Sequence, residues 1–548
     1  MDEVKSMKNK RTGATNPLVL DAAVIGAGVA GLYQLHQLRE QGLNVRAFDA
    51  ASGVGGTWYW NRYPGAKFDS GSYVYQYLFS EELYKGWSWT EKFPEQPEIE
   101  RWMNYVADTL DLRGEIQLNT TIEAAHYDED RGRWTLTTDS DEVIDAQFVI
   151  ACSGMLSAPM SDLFQGQDSF KGQIFHTARW PKHHVELKGK RVAVIGNGAT
   201  GIQVIQTIAP EVGELKVFIR TPQYVNAMNN PKYGPAEVAE YKSKFKYFQE
   251  RLPNTFGGFE FSFDNGTWAE KTPEQRQEVL ERIWENGSLE LWTASFSELF
   301  YEEEVNEQIS EFVRNKMRER LKDPELCDLL IPTDYGFGTH RVPLESGYLE
   351  AYHLPHVNIV SIKDNPISRI TQGGIELADG TEHRFDVIIM ATGFDAGTGA
   401  LTRIDIRGRD GRSLKEQWQE DITTTMGLQI SGYPNLFTTG APLAPSAALC
   451  NMTTCLSQQT EWISGCIQHL RDNDLHVIEP TLETEQQWVK HHDELANETL
   501  VTKTNSWYMG SNIEGKPRRL LSYVGGVDVY KDKCIEVASQ DYKGFEMR

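Results

Sequence analysis

Short apolar runs that end in glycine, each followed by apolar residues at helical spacing, divide this chain into β-α-β units. Ala22-Ala-Val-Ile-Gly26 is the first run; apolar residues then recur at helical period to Gln41, Gly42 stops the helix, and a second apolar run closes at Asp49. Arg191-Val-Ala-Val-Ile-Gly196 opens the pattern again, with a helix expected to Ile208, Pro210 as breaker and Leu215-Lys-Val-Phe-Ile219 as the next strand. The unbroken runs Phe148-Val-Ile-Ala151 and Asp386-Val-Ile-Ile-Met-Ala391 predict parallel strands covered on both faces, since a half-buried strand would alternate.

Between residues 225 and 339 the period changes to helical. Val238, Tyr241, Phe245, Phe248 and Leu252 recur at steps of three and four and share one face behind Pro235, a first-turn residue. Thr272-Pro-Glu-Gln275 reads as a capping box for a helix that stops near Gly287. The expected fold class is α/β: two Rossmann-like dinucleotide-binding domains with a helical insertion in the second. The first domain takes residues 1–155 and 386–548, the second 156–224 and 340–385, and the insertion 225–339.

At 548 residues the chain exceeds one core and suits two or three domains. A formal net charge of −24 argues against nucleic acid or an anionic membrane surface as partner, because both reward a basic face. The acidic run 302–304 reads as a solvated face. Six cysteines show neither a C-x-x-C pair nor a disulfide framework, which fits a reducing cytoplasm. The first twenty residues carry lysines without an apolar core segment, so no signal peptide is expected, and no apolar run approaches the ~18 residues of a membrane span.

Candidate chemistry begins with the glycines. Gly26-x-Gly28-x-x-Gly31 lets the backbone turn sharply and approach a pyrophosphate at a helix N-terminus. Alone the motif is weak; here it follows a strand, opens a helix, and has Asp49 about 20 residues on, where a ribose hydroxyl would be held. Gly196-Asn-Gly198-Ala199-Thr200-Gly201 repeats the cradle, but the strand after it ends at Arg220-Thr221 with no acid. A cation and a hydroxyl there suit a 2′-phosphate, so NADPH is expected rather than NADH.

Phe170-x-Gly172-x-x-x-His176-Thr177-x-x-Trp180-Pro181 lies between the two glycine motifs, and Gly55-Gly56-Thr57-Trp58 runs on to Tyr63-Pro64-Gly65 and Asp69. In these segments the chain resembles, nearly end to end, the Baeyer–Villiger monooxygenases, flavoproteins that insert one oxygen atom of O2 beside a ketone carbonyl. The resemblance implies FAD at the first glycine turn and NADPH at the second, with a flavin C4a-peroxide attacking a ketone. It places Thr57, Trp58, Asp69, Tyr75 and Met452 at flavin-contacting positions; taken singly, each of Trp58, Tyr59 and Trp60 reads as ordinary core packing. In Gly338-Thr-His340-Arg341-Val-Pro343 it makes Arg341 the active-site arginine, with Asp69 the carboxylate that holds it. Without the resemblance, Arg341 would read as a surface or interface ion pair.

Further expectations follow from the same likeness. Family members usually carry a lysine before the arginine to grip the 2′-phosphate, and His340 stands there instead; this implies a weaker preference for NADPH, strengthened on protonation near an ordinary imidazole pKa of ~6.5. His176 lies near the linker between domains and is assigned no proton transfer, and Ala391-Thr-Gly393 matches the loop joining the domains. Trp507 matches a mobile-loop tryptophan that closes over the nicotinamide cofactor, although lone tryptophans mostly pack. Trp87-Ser-Trp-Thr-Glu91 and Pro442-Leu-Ala-Pro-Ser446 look most like the phenylacetone and steroid monooxygenase branch, and residues 443–451 are expected to form a stiff loop that sets substrate size. The rival enzyme class is a flavin N- or S-oxygenating monooxygenase. Disulfide reductases lack their cysteine pair here, and Asp69 with Arg341 argues against a silent nucleotide-binding protein.

Overall fold

The computed structural model describes residues 17–548, so residues 1–16, most of the stretch read above for a signal peptide, lie outside it. The fold is α/β and built on two main sheets. In the first, the strands run Asp405–Arg407, Ile122–Asp128, Arg133–Thr138, Val143–Ala151, Leu18–Ile25, Val45–Asp49 and Ile116–Leu118, with Leu436–Thr438 also pairing Val143–Ala151. Leu18–Ile25 is parallel to both its neighbours, with Ala22 opposite Val45 on one side and Phe148 on the other. Ala22, Ala23 and Val24 are wholly buried, as a strand with both faces covered requires.

The second sheet is all parallel, in the order Val357–Ser361, Glu214–Ile219, Arg191–Ile195, Val387–Met390 and Gln173–His176. The boundary expected at residue 386 therefore falls one strand early. Val387–Met390 belongs to the second sheet, and the chain returns toward the first only after it. A fully apolar run suits the middle of either sheet, so its composition carries no information about which sheet it joins.

Between the sheets' strands lie the expected helices. The face running from Val238 to Leu252 is shared by two helices, Pro235–Ser243 and Phe245–Arg251, because Lys244 (φ −88°, ψ 9°) breaks the helical geometry. Tyr241, Phe245, Phe248 and Leu252 are buried on it, and Val238 is half-buried. Pro273–Asn286 starts as its capping box requires: Gln275 N–H donates to the Thr272 hydroxyl, the Gln275 side chain accepts from Thr272 N–H, and Gly287 (φ 53°) ends the helix. Cys450 and Cys455 are joined as a disulfide where the sequence shows no disulfide framework, while Cys152, Cys327, Cys466 and Cys534 are free. Among the described residues no helix is long and apolar enough to cross a membrane.

Candidate active site

Both glycine turns are built alike, and sterics explain their glycines. Gly26 has φ 109°, and a Cβ on it would lie 2.5 Å from the Cys152 carbonyl oxygen at the end of the neighbouring strand; Gly196 has φ 102°, and its Cβ would lie 2.5 Å from the Ala391 carbonyl oxygen. A Cβ on Gly31 would collide with the Gly26 carbonyl, and one on Gly201 with the Gly196 carbonyl. Gly28 and Gly198 cap the helices Val29–Glu40 and Ala199–Ile208 in extended backbone without any side-chain cap. The first-turn N–H groups, those of Ala199 and Thr200 included, thus open on a glycine face rather than on a capping side chain. Among the described residues nothing lies within 4 Å of a Cβ built on Gly198, and one on Gly28 would meet the Gly56 backbone. Such an end fits a pyrophosphate.

The side chains around each turn differ. Asp49 ends its strand with Oδ2 accepting from Ala27 N–H at 2.7 Å and Oδ1 from Ala51 N–H at 2.8 Å; burial raises its pKa while these two donors pull it back. At the second turn Arg220 is exposed and Thr221 half-buried. His340 stacks on Tyr335 with ring centroids 4.0 Å apart, and Tyr335 donates its hydroxyl to the Pro222 carbonyl at 2.8 Å, which brings the imidazole to the Arg220-Thr221-Pro222 segment. Burial lowers the His340 pKa to about 4, and its Nε2 has no hydrogen-bond partner among the described residues. Burial thus favours the neutral imidazole, where the sequence reading assumed an ordinary titration near ~6.5.

The aromatic segment after the first turn bridges the two halves. Trp58, in the short helix Thr57–Trp60, is buried and donates Nε1–H to the Tyr75 hydroxyl at 3.0 Å, while Phe68 stacks on Tyr75 at 4.5 Å. Burial pushes the Tyr75 phenol up to about 12. Thr57 is exposed, and Met452 is half-buried as the first residue of the helix Met452–Asp472. Tyr63 donates to Gln203 Oε1 at 2.8 Å, Gln203 Nε2 donates to the Lys67 carbonyl at 3.0 Å, and a Cβ on Gly65 would come within 2.6 Å of the Gln203 carbonyl. The stretch between Trp58 and Asp69 is thereby fixed to the helix of the second glycine turn.

At the centre of these contacts lies Arg341. Its Nη2 donates to Asp69 Oδ1 and Oδ2 at 2.5 and 2.6 Å, its Nη1 donates to the Ala447 carbonyl at 2.7 Å, and its guanidinium lies 5.2 Å from the Trp292 ring centroid. Trp292 is fixed in turn by donating Nε1–H to the Gly338 carbonyl at 3.0 Å. Both charged side chains retain 20% exposure, so the pair is largely but not wholly covered. Burial acts to lower the Arg341 pKa, but Asp69 and Tyr508 outweigh it and the net shift is upward. A permanently charged guanidinium is held, already oriented, at a partly dry surface, the arrangement that stabilises an oxyanion forming beside it.

The histidine of the fingerprint is structural in its contacts. His176 Nδ1 accepts from Ala178 N–H at 3.1 Å, its Nε2 lies 3.3 Å from the Thr392 hydroxyl, and that hydroxyl donates to the Met160 carbonyl at 2.8 Å. Thr392, in the Ala391-Thr-Gly393 stretch expected to join the two halves, is thus one of the residues His176 touches. Trp507 is half-buried and packs edge-on against Tyr508, with ring centroids 4.4 Å apart. Tyr508, Trp292, Gln203 and the Ala447 carbonyl were not singled out in the sequence, whereas Tyr63 stood in the quoted fingerprint without a contact assigned to it. Tyr508 adjoins Trp507, but no spacing rule marks it, and a backbone carbonyl leaves no signal in sequence at all.

Known proteins place this architecture. A model described as flavin-binding monooxygenase-like matches residues 20–258. An acetone monooxygenase (methyl acetate-forming) of Gordonia sp. (strain TY-5) is 68% identical over 528 residues, covering 96% of this chain and 99% of that protein. A phenazine N-monooxygenase, PhzNO1, of Lysobacter antibioticus is 40% identical over 527 residues, covering 96% of each. The crystal structure of OTEMO in complex with FAD and NADP superposes with a TM-score of 0.93 at 38% identity, covering 96% of this chain and 99% of that one.

Proposed function

The chain belongs to the Baeyer–Villiger monooxygenases, and from that premise we propose that it converts a small ketone, NADPH, a proton and O2 into an ester, NADP+ and water at Arg341. FAD is assigned to the turn Gly26, Gly28 and Gly31 with Asp49, Thr57, Trp58, Tyr75 and Met452 about it. NADPH is assigned to Gly196, Gly198, Ala199, Thr200 and Gly201 with Arg220, Thr221 and His340, the helical insertion between residues 225 and 339 closing one side. Bound FAD, once reduced by NADPH, supplies the activated dioxygen. The protein's own contribution falls to Arg341, which stabilises negative charge gathering on the ketone oxygen as the carbonyl is attacked. Asp69 keeps the guanidinium aimed and Trp292 backs it, so neither reorganises during the reaction.

The observation that carries this reading is the Arg341–Asp69 pair. Oxygen transfer to a nitrogen or sulfur lone pair creates no alkoxide on the substrate and has no use for such a cation. Ketone oxygenation does. Small ketones are favoured by the 68% identity to a protein named for acetone. The test is NADPH oxidation with linear, cyclic and aromatic ketones and with amine and sulfide substrates, products identified by mass. Ester from ketones supports the reading, and N- or S-oxides alone would overturn it.

A further inference from the structure

Two consecutive carbonyls in one buried loop are taken by side chains from distant parts of the chain. The Ala447 carbonyl accepts from Arg341 Nη1 at 2.7 Å, and the Ala448 carbonyl accepts from the Tyr508 hydroxyl at 3.0 Å. We propose that Tyr508 is a positioning residue for the oxygenation: by fixing the Ala448 carbonyl it fixes the neighbouring Ala447 carbonyl and so the direction of the Arg341 guanidinium. The inference rests on the reading of Arg341 given above.

Peptide planarity makes the linkage stiff. The two carbonyls belong to adjacent peptide planes that share the Ala448 Cα, so only its two backbone dihedrals separate them. The loop ends are already held. Leu443 N–H donates to the Leu521 carbonyl at 3.1 Å, the Ala444 carbonyl accepts from Tyr523 N–H at 3.0 Å, Ser446 and Ser522 share a hydroxyl bond of 2.8 Å, and Asn451 N–H donates to the Gly257 carbonyl at 2.8 Å. Between Ser446 and Asn451, Arg341 and Tyr508 make the side-chain bonds to the two alanine carbonyls. Tyr508 is 1% exposed, and its own carbonyl accepts from Leu521 N–H at 2.7 Å, so the hydroxyl is delivered from a fixed backbone. Because the Trp507 ring abuts Tyr508, a shift of that turn would withdraw the hydroxyl from the loop.

The experiment uses the FAD-loaded full chain and measures the ratio of ester to hydrogen peroxide formed per NADPH, peroxide being the product when O2 is reduced without ketone capture. Tyr508→Phe keeps the ring and removes only the donor. The ratio is expected to fall about tenfold, the scale of one lost buried hydrogen bond, with flavin reduction by NADPH and the thermal midpoint read alongside. Ser522→Ala removes another bond of the same loop without touching either alanine carbonyl, and is expected to keep the ratio. A Tyr508→Phe ratio within about twofold of wild type overturns the inference, as does an equal loss in Ser522→Ala, which would mean general loosening of the loop. Absence of ester from the wild type, or ester retained in Arg341→Ala, would instead sink the reading of the site on which the inference rests.

Discussion

Arg341 places one nitrogen, Nη2, between both oxygens of Asp69 at 2.5 and 2.6 Å, joining residues 272 positions apart in the chain. The other terminal nitrogen, Nη1, donates to the Ala447 carbonyl. A lysine could not make both contacts, since its single ammonium has no fork. Replacing Arg341 by Ala is expected to abolish ester formation while NADPH still reduces the flavin, because hydride transfer creates no alkoxide. Loss of a comparable oxyanion donor costs ~2.7–4 kcal/mol in barrier. Arg341→Lys should fall between. Stopped-flow flavin reduction and product analysis check both, and appreciable ester from Arg341→Ala would refute the role.

Asp69→Ala should harm stability as well as turnover. It leaves Arg341 charged against Trp292 with no carboxylate, and breaking a packed ion pair by removing one partner costs on the order of 3–5 kcal/mol; with 20% exposure on each side chain the lower end is expected. Asp69→Asn should recover part of the loss because the amide oxygen still accepts. Thermal midpoints of the three proteins decide it.

His340 should make stability, but not coenzyme choice, depend on pH. Its pKa in the folded chain is about 4, below the ordinary ~6.5 of the unfolded state. Between these values the unfolded chain takes up a proton that the folded chain refuses, so stability is full above pH ~6.5 and is lost as pH falls toward 4, by up to about 3 kcal/mol. Replacement of His340 by Gln should flatten that part of the stability curve. The ratio of kcat/KM for NADPH over NADH should stay level from pH 6 to pH 8, the imidazole being neutral throughout, and His340→Lys should raise it. A wild-type ratio that climbs with acidity would show the imidazole titrating at the phosphate.

The loop at residues 443–451 should respond to side chains and not tolerate deletion. Its backbone is tied at Leu443, Ala444 and Asn451, so removing one residue would shift every anchor and lower kcat/KM for all ketones by one factor. Ala447 is the one residue of this loop that is not buried. Ala447→Leu is therefore expected to reduce kcat/KM for bulky ketones several-fold more than for acetone. Equal reduction for both would remove the loop from substrate selection.

Gly201→Ala should prevent the second turn from forming, since the added methyl would meet the Gly196 carbonyl. Gly198→Ala, with nothing within 4 Å of its Cβ, should fold normally and weaken NADP+ binding through contact with the ligand alone. Titration calorimetry with NADP+ alongside thermal denaturation separates the two.

What the sequence determined by itself is what is decided locally. The glycine turns, the capping box at Thr272 and the stop at Gly287 follow from backbone sterics and hydrogen bonding within a few residues, and the fingerprints between them carried the family and its two nucleotides. Their physical causes are written in adjacent side chains. Arg341 with Asp69 was reachable only through resemblance, because no local rule pairs residues so far apart. Tertiary structure alone decided which sheet Val387–Met390 joins, where the long helical face breaks at Lys244, that Cys450 and Cys455 meet, and that His340 is covered enough to lower its pKa. It alone brought Tyr508 to the Ala448 carbonyl. Each of these depends on burial or on contacts between distant segments, which are properties of the packed chain and not of any stretch of its sequence.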